Sequence, residues 1–236
     1  MKINKNICAA VLATALSTNA FAGTFSDSFS GGLNPSYWSV SQTTPGLYSV
    51  STPGGSVGLS LPNPALNPGG FQNVQINLNL AAFGGNVAGD FSTQVGFDDA
   101  IIGPNDDQVQ LNVTFADGST FDDVYDLSSG RNVHLWNGSI NNPTPETATS
   151  GTFAISRTGS SVTGYYDGTA IFTEAESTAL TAVWFSLQNQ PNAQGDSPSV
   201  SFGNFSYTAS AVPEPATLAW GGLGGLASLV VFRRRK

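Results

Sequence analysis

Apolar and polar residues alternate along the middle of the chain, and this alternation restricts the fold more than any other feature of the sequence. In the segment 71–80, every second position from Val74 to Leu80 is apolar, and the positions between them are Gln or Asn. Segments 91–97, 107–115 and 183–187 show a similar pattern. Because successive side chains of a β-strand point to opposite faces of a sheet, we predict strands with one face in a core and the other in water.

Turn signals separate these segments. The relevant dipeptides are Asp117-Gly118, Ser129-Gly130, Thr158-Gly159 and Asp167-Gly168. The last of them suits the positive φ angles of a type I′ hairpin. No segment before Ala216 has an amphipathic helical stripe of useful length. Strand-like segments recur roughly every 8–15 residues, which is typical of a β-sandwich or a barrel, so the sequence predicts one all-β domain of about a dozen strands.

The first 22 residues have the composition of a secretory signal peptide. Two lysines precede the apolar stretch 7–16, and an Ala-x-Ala site ends at Ala22. We therefore predict cleavage between Ala22 and Gly23. A membrane anchor is the alternative, which the short apolar stretch disfavours. The single cysteine, Cys8, lies in the segment that is removed, so the exported protein has no disulfide and depends on a buried core.

The predicted mature domain, residues 23–210, is strongly acidic. It holds fifteen of the sixteen acidic residues but only two of the eight basic residues, Arg131 and Arg157, which corresponds to a formal charge of −13. Such a domain is not expected to bind nucleic acid or anionic lipid through the release of counterions. Solubility and the binding of divalent cations are compatible with this charge.

The segment 211–236 contains three elements in a defined order. It begins with a short motif, Val212, Pro213, Glu214 and Pro215. An apolar run at 216–232 is just long enough for a transmembrane helix, and the basic residues at 233–236 are typical of its cytoplasmic end. The whole segment resembles the PEP-CTERM sorting signal. This resemblance implies recognition by an exosortase, transient anchoring in the inner membrane of a Gram-negative bacterium, and export to the cell surface or extracellular matrix; a permanent single-span anchor is the alternative.

Three stretches of the domain 23–210 resemble the concanavalin A-like lectin/glucanase (laminin G-like) family. Asp27–Val40 contains an Asp-x-Phe, a loop and Trp38, as at the start of that family's domains. Segment 153–168 is similar to its late hairpin, and segment 200–207 is similar to its closing strand. The resemblance implies a single β-sandwich of jelly-roll type, with Trp38 in the core.

The sequence lacks the residues with which sugar-cleaving members of that family act. Those enzymes carry a Glu-x-Asp-x-Glu strand, which holds a nucleophile and an acid about 5 Å apart on one face. Glu174 and Glu176 have no Asp between them, and a solvated pair at the end of a strand is favoured. His134 is the single histidine, and a polar-face histidine is favoured over a catalytic one. We therefore predict that the protein is not an enzyme; a jelly-roll glycoside hydrolase using Glu174 and Glu176 is the alternative.

Aspartates beside turns are candidate calcium ligands, because Ca²⁺ prefers carboxylate and carbonyl oxygens. The candidate set is Asp98, Asp99, Asp106, Asp107, Asp122 and Asp123. Their spacing does not match an EF-hand loop, and dispersed surface charge is the alternative. With one histidine and no cysteine in the mature domain, zinc is not expected.

Aromatic residues are the candidate contacts for a sugar, because exposed rings stack on the apolar faces of sugars. The candidates are Trp136, Tyr165, Tyr166 and Trp184. Neighbours on a strand face opposite sides, so only one of the two adjacent tyrosines is expected to point outward. Packing of these rings under a long loop is the alternative.

These features predict an exported surface or matrix protein whose domain is a non-catalytic polysaccharide-binding or structural module. The expected partners are an exosortase during export and a polysaccharide afterwards. Contact with a membrane is expected only through segment 216–232, before processing. A purely structural matrix or adhesion protein without a ligand pocket is a further alternative.

Overall fold

A computed structural model describes residues 23–103, 107–126, 132–137, 140–189 and 196–210. Within these ranges the chain forms fifteen β-strands and two short 3-10 helices, and no α-helix. The all-β prediction is therefore confirmed, with more strands than the dozen expected. Within the same ranges there is no helix long and apolar enough to cross a membrane, and the predicted span at 216–232 lies outside them.

The fifteen strands are distributed along the whole of the described chain. The first eight are β1 Gly23–Asp27, β2 Trp38–Gln42, β3 Ser49–Ser51, β4 Val57–Ser60, β5 Gln72–Leu78, β6 Phe91–Ile101, β7 Gln108–Phe115 and β8 Thr120–Asp126. The remaining seven are β9 Asn132–Trp136, β10 Ile140–Pro145, β11 Gly151–Thr158, β12 Ser161–Tyr166, β13 Thr169–Ala175, β14 Leu180–Asn189 and β15 Ser199–Ala209. The 3-10 helices are Pro64–Leu66 and Leu80–Phe83.

The strands form two antiparallel sheets that pack as a sandwich. One sheet has eight strands in the order β13-β12-β11-β6-β15-β4-β3, and β1 pairs with the second half of β15. The other has seven strands in the order β10-β9-β8-β7-β14-β5-β2. Neighbouring strands are often distant in sequence, as with β6 beside β15 and β7 beside β14, so the fold depends on long-range pairing.

The core lies between the inner faces of the two sheets and consists of the apolar positions that alternate in the sequence. Val74 and Ile76 of β5 and Leu111 of β7 are fully buried, as the pattern predicts. Trp38 is also buried, as the family resemblance implies; its ring contacts the ring of Phe205 with centroids 4.7 Å apart. A hydrogen bond of 2.8 Å from its indole Nε1 to an Asp27 carboxylate oxygen satisfies the one polar atom of that ring.

The predicted hairpin between β12 and β13 is present. Asp167 and Gly168 have φ angles of 47° and 76°, the positive values that a type I′ turn requires. Gly164 in β12 leaves room for the side chains of Phe172 and Asp123, which pack directly against it. A Cβ atom at this position would lie 1.9 Å from a ring carbon of Phe172 and 2.3 Å from a carboxylate oxygen of Asp123. Any larger residue at Gly164 would therefore displace the core.

A buried arginine joins three segments at one end of the sandwich. Arg157 in β11 is 1% exposed, and its guanidinium donates to the main-chain carbonyls of Val87, Gly89 and Thr178. Its Cζ atom also lies 5.3 Å from the ring centroid of Phe91. The five N–H donors of a guanidinium suit such a cluster of carbonyls, because one planar group reaches several acceptors at once.

Candidate functional site

The outer face of the seven-stranded sheet carries an extended array of polar side chains. Strand register aligns them in three rows that cross β9, β8, β7 and β14. The first row is Asp126, Gln108 and Gln188; the second is His134, Val124, Gln110 and Ser186; the third is Trp136, Asp122, Asn112 and Trp184. We call these residues the polar face.

Most residues of the polar face are buried, so the expectation that this side of β7 lies in water is wrong. Gln108, Gln110 and Asn112 are each less than 10% exposed. The reason is a ladder of side-chain hydrogen bonds. The amide nitrogens of Gln110 and Gln188 both donate to Gln108 Oε1 at 2.6 Å, and Ser186 Oγ donates to Gln110 Oε1 at 3.1 Å. Polar groups that satisfy one another in this way can be removed from water at little cost.

A second chain of hydrogen bonds connects the residues of the third row. The amide of Asn112 is assigned from its neighbours: with its oxygen toward Trp184, it accepts from the indole Nε1 at 3.2 Å and donates to Asp122 Oδ1 at 2.7 Å. Burial raises the pKa of Asp122 to about 8. The donor from Asn112 acts against this shift, because a hydrogen bond to a carboxylate favours its charged form. Asp122 is thus held in one orientation on the polar face.

His134 and Asp126 lie side by side near the edge of the polar face. His134 is 1% exposed, and its Nε2 is 3.6 Å from Asp126 Oδ2. Burial lowers the pKa of His134, while the nearby Asp126 opposes that shift. Across the row from the imidazole is Val124, which offers no group for proton transfer. The structure thus places the single histidine on a polar face, where the sequence analysis favoured it.

A groove of about 190 Å³ lies on the polar face. Its lining consists of Phe71, Gln108, Gln110, Asp122, Trp136 and Gln188. Phe71 and Trp136 are 47% and 40% exposed, which is unusual for large rings, while the three glutamines are buried beside them and Asp122 is half-buried. Exposed rings next to fixed donors and acceptors can bind a sugar, whose ring has apolar faces and hydroxyl edges.

The four predicted aromatic residues do not form one site. Trp136 and Trp184 lie on the polar face, whereas Tyr165 lies on the outer face of the eight-stranded sheet. Tyr166 points into the core and donates its hydroxyl to the carbonyl of Ser150 at 3.2 Å. Of the two adjacent tyrosines, it is therefore Tyr165 that faces outward.

The predicted calcium ligands are likewise separated. Asp98 and Asp99 lie at the end of β6, while Asp122 and Asp123 point to opposite faces of β8. Asp107 is buried and accepts hydrogen bonds from Asn189 Nδ2 at 2.7 Å and from the Gly103 amide at 2.8 Å. Asp106 lies outside the described residues. No group of three metal-binding side chains occurs in the ranges that the structure describes, and the calcium site stays a prediction.

Glu174 and Glu176 do not form a matched pair. Glu174 is exposed, whereas Glu176 is buried and was expected to be solvated. Glu176 accepts hydrogen bonds from the side chains of Ser119 at 2.6 Å and Thr178 at 2.8 Å. Burial raises the pKa of Glu176, but these hydrogen bonds outweigh burial and leave the pKa below its usual value. The carboxylate therefore stays charged and joins two loops, which is a structural role.

Two larger depressions lie on the outer face of the eight-stranded sheet. Each has a volume of about 510 Å³, and both are lined mainly by Gly, Ser and Thr. Neither contains an aromatic ring on its outer side, since the Phe97 and Phe202 rings belong to the core. We favour the smaller groove on the polar face, because rings and orientated amides occur together there.

The three glutamines and Phe71 of the groove are not among the site residues predicted from the sequence. In the sequence, Gln108 and Gln110 are only the polar half of the alternating segment 107–115, and Gln188 follows the segment 183–187. One signal for them was available in the sequence. Amide side chains, and not Lys, Glu or Thr, fill these positions, and the strands that carry them pair with one another. Phe71 precedes β5 and gave no signal by itself.

Comparison with known proteins is consistent with this architecture. Residues 211–236 match the family model of the PEP-CTERM protein-sorting motif, which confirms the sequence prediction for that segment. This motif indicates an exported protein that is processed by an exosortase in a Gram-negative bacterium. The segment lies outside the described residues. A search of curated proteins finds no match.

Solved structures share the fold at low sequence identity. The Bacillus licheniformis β-glucanase has a TM-score of 0.57 and 14% identity over 80% of this chain and 98% of that protein. The alginate lyase AlgAT5, from Polysaccharide Lyase family 7, has a TM-score of 0.53 and 14% identity over 71% and 84%. The carbohydrate recognition domain of Emp47p has a TM-score of 0.51 and 9% identity over 83% and 100%. The chain therefore carries a PEP-CTERM protein-sorting motif at 211–236 and, before it, a domain with the concanavalin A-like jelly-roll fold.

Proposed function

We propose that the domain binds a polysaccharide in the groove of the polar face and does not cleave it. The observation that carries this proposal is the groove itself, in which exposed Phe71 and Trp136 flank the buried amides of Gln108, Gln110 and Gln188. The fold supports it, because similar structures include a carbohydrate recognition domain as well as a β-glucanase and an alginate lyase. The groove is small and stacking on one ring is modest, so affinity per site is micromolar or weaker and increases through multivalency along a polymer.

The spacing of carboxylates on the polar face supports a role without hydrolysis. Asp122 and Asp126 are the acidic residues of this face, and they lie four residues apart on β8. Four residues of strand span about 13 Å, whereas glycosidases place their two carboxyl groups about 5–9.5 Å apart. The alternative pair, Glu174 and Glu176, is split between solvent and a loop contact. A structural protein without a ligand is the second candidate, and it predicts neither binding nor turnover.

Replacing Trp136 with Ala is expected to weaken binding about tenfold, because it removes an exposed ring at the groove. The measurement is affinity electrophoresis of the purified domain in gels that contain pullulan, laminarin, hydroxyethylcellulose or alginate. Tyr165→Ala is the matched variant, since it removes a ring from the outer face of the other sheet and is expected to bind as the wild type does. If Tyr165→Ala loses binding and Trp136→Ala does not, the binding site lies on the eight-stranded sheet and the proposed groove is wrong.

The same polymers test for catalysis. After incubation with the domain we expect no new reducing ends and no absorbance from unsaturated products. Turnover that Glu174→Gln or Glu176→Gln abolishes would establish the hydrolase instead, and turnover that survives both changes would place a catalytic site elsewhere.

We further propose that the protein reaches the cell surface or the extracellular matrix after processing at both ends. The motif at 211–236 supports the second processing step, and the signal-peptide pattern before Gly23 supports the first. Mass spectrometry of extracellular material is expected to detect a peptide that starts at Gly23 and no peptide that extends from Pro213 to Lys236. Intact tail peptides in the mature surface form would contradict this route.

A further inference from the structure

We infer that the groove selects an uncharged polysaccharide over an acidic one and that Asp122 is the residue that enforces this choice. The inference rests on the proposed function, and it names the class of ligand for the same groove. It also separates this domain from the alginate lyase whose fold it shares, because alginate is a polymer of acidic sugars.

The first support is the charge of the groove lining. Of its six residues, three are glutamines and two are aromatic, and the only ionisable one is Asp122. Asp126 lies in the same row as Gln108, so the second acidic residue of the polar face is also close to the groove. No lysine or arginine lines the groove among the described residues.

The second support is the scarcity of basic residues in the domain 23–210, which has only Arg131 and Arg157. The guanidinium of Arg157 is buried and donates to main-chain carbonyls, so it is not available to a ligand. Arg131 lies outside the described residues. An acidic polymer can therefore pair with at most one basic side chain on a domain whose formal charge is −13.

The energetic consequence follows from Coulomb's law. Two like charges that approach each other at the edge of a protein repel more strongly than they do in water, because the effective dielectric constant there is lower. Because burial raises the pKa of Asp122 to about 8, Asp122 is fully charged only above that pH. There, each carboxylate of an acidic polymer that approached Asp122 would meet this repulsion, reduced by salt where the groove is open. An uncharged sugar avoids it, because its hydroxyls can donate to the Asp122 carboxylate.

The third support is that the groove already has partners suited to hydroxyl groups. Each glutamine amide has two N–H donors and two acceptor sites, and the ladder on the polar face uses only part of them. The hydrogen bond from Asn112 orientates Asp122. Fixed amide and carboxyl groups beside a ring bind hydroxyls with little loss of side-chain entropy.

The test compares one polymer with and without charge. Pullulan and hydroxyethylcellulose are used as prepared and after oxidation of their primary hydroxyls to carboxylates, which changes charge with little change of shape. Alginate is included as a natural acidic polymer. Binding is measured at about pH 9, above the raised pKa of Asp122, so that this carboxyl group is ionised. For the wild-type domain we expect at least tenfold weaker binding to the oxidised form. Binding of the uncharged form is expected to change little between low and high salt, since no ion pair is involved.

Asp122→Asn is expected to reduce the preference for the uncharged polymer severalfold, because the amide has nearly the same shape and no charge. Glu174→Gln is the matched control: it removes one exposed negative charge away from the groove and is expected to leave the preference unchanged. The comparison of the two polymer forms on the wild-type domain needs no variant, so it decides the ligand class even if Asp122→Asn does not fold.

The outcomes separate the two proposals. If no polymer binds in either form, the proposed function fails and this inference fails with it. If the oxidised polymers or alginate bind as tightly as the uncharged ones or more tightly, polysaccharide binding stands and the inference about charge is wrong. If Glu174→Gln and Asp122→Asn reduce the preference equally, the overall charge of the domain makes the selection and the role of Asp122 is refuted.

Discussion

Replacing Arg157 with Met is expected to lower the free energy of unfolding by about 3–5 kcal/mol, which is large for a single substitution. Met has a similar length but no donor, so the carbonyls of Val87, Gly89 and Thr178 would be left without the guanidinium that now satisfies them. A buried carbonyl without a partner costs about 1–3 kcal/mol. The carbonyls of Gly89 and Thr178 lose their donor here, whereas the Val87 carbonyl keeps the hydrogen bond from the Leu180 amide. The packing of the guanidinium against Phe91 would also be lost.

Urea unfolding followed by tryptophan fluorescence measures this effect. The midpoint is expected to fall with an unchanged dependence on urea, which indicates a change of stability and not of compactness. Ser156→Ala is the matched control, because Ser156 is the neighbouring residue on the outer face of β11 and is expected to change stability by less than about 0.5 kcal/mol. The loss of stability in Arg157→Lys is expected to lie between those of Ser156→Ala and Arg157→Met, since an ammonium cannot reach three carbonyls at once. A cost below about 1 kcal/mol for Arg157→Met would show that the guanidinium does not join these segments.

The domain is expected to lose stability as the pH rises from 5 to 7, and Asp123 is expected to be the main cause. Asp123 is completely buried on the inner face of β8, against Gly164. Burial raises its pKa well above the usual value; the main-chain amides of Tyr165 and Ala154 act in the opposite direction, yet neither carboxylate oxygen has a hydrogen bond of normal geometry.

The direction of this dependence follows from the sign of the shift. Above pH 4 the unfolded chain has released the proton from Asp123, while the folded domain still holds it, so raising the pH favours the unfolded state. The raised pKa of Asp122 contributes in the same direction up to about pH 8. Glu176, whose pKa is lowered, contributes in the opposite direction: its stabilisation is present above its unfolded pKa and is lost as the pH falls.

Thermal unfolding of Asp123→Asn between pH 5 and pH 8 tests this prediction. The variant is expected to be more stable than the wild type at pH 8. Its stability is also expected to depend less on pH, and the pH dependence that remains is the contribution of Asp122. Glu176→Gln is the comparison variant. It is expected to be destabilising by a nearly constant amount between pH 5 and pH 8, because the stabilisation from Glu176 is already complete above its unfolded pKa. An unchanged pH dependence in Asp123→Asn would mean that Asp123 is ionised in the folded domain.

Local patterns in the sequence predicted the strands, because the burial of a strand's apolar face leaves a period of two that needs no knowledge of the partner. The hairpin at Asp167-Gly168 was predictable for a similar reason: positive φ angles restrict which residues can stand at the turn. The sorting motif was recognisable because its elements follow one another along the chain.

The candidate site was predictable only in part. Trp136 and Trp184 were identified from alternation, but nothing in the sequence showed that Tyr165 lies on the other sheet and Tyr166 in the core. Adjacent residues on a strand must face opposite sides, but which of them faces the core depends on the strand's register with its neighbours. For the same reason, Asp122 and Asp123 were both assigned to one predicted calcium site, although they lie on opposite faces of β8.

By itself, then, the sequence determined the strand content, the acidic charge, the scarcity of basic residues and the sorting motif, since each is a local or additive property of the chain. Only the tertiary structure decided what the polar positions do. Gln108 on β7 and Gln188 on β14 are eighty residues apart and bond directly because their strands pair. Arg157 likewise finds its carbonyls on segments about seventy and twenty residues away. The neighbours of a polar residue in the sequence do not show whether its side chain will be buried or exposed. Burial requires hydrogen-bond partners, and here long-range strand pairing supplies them.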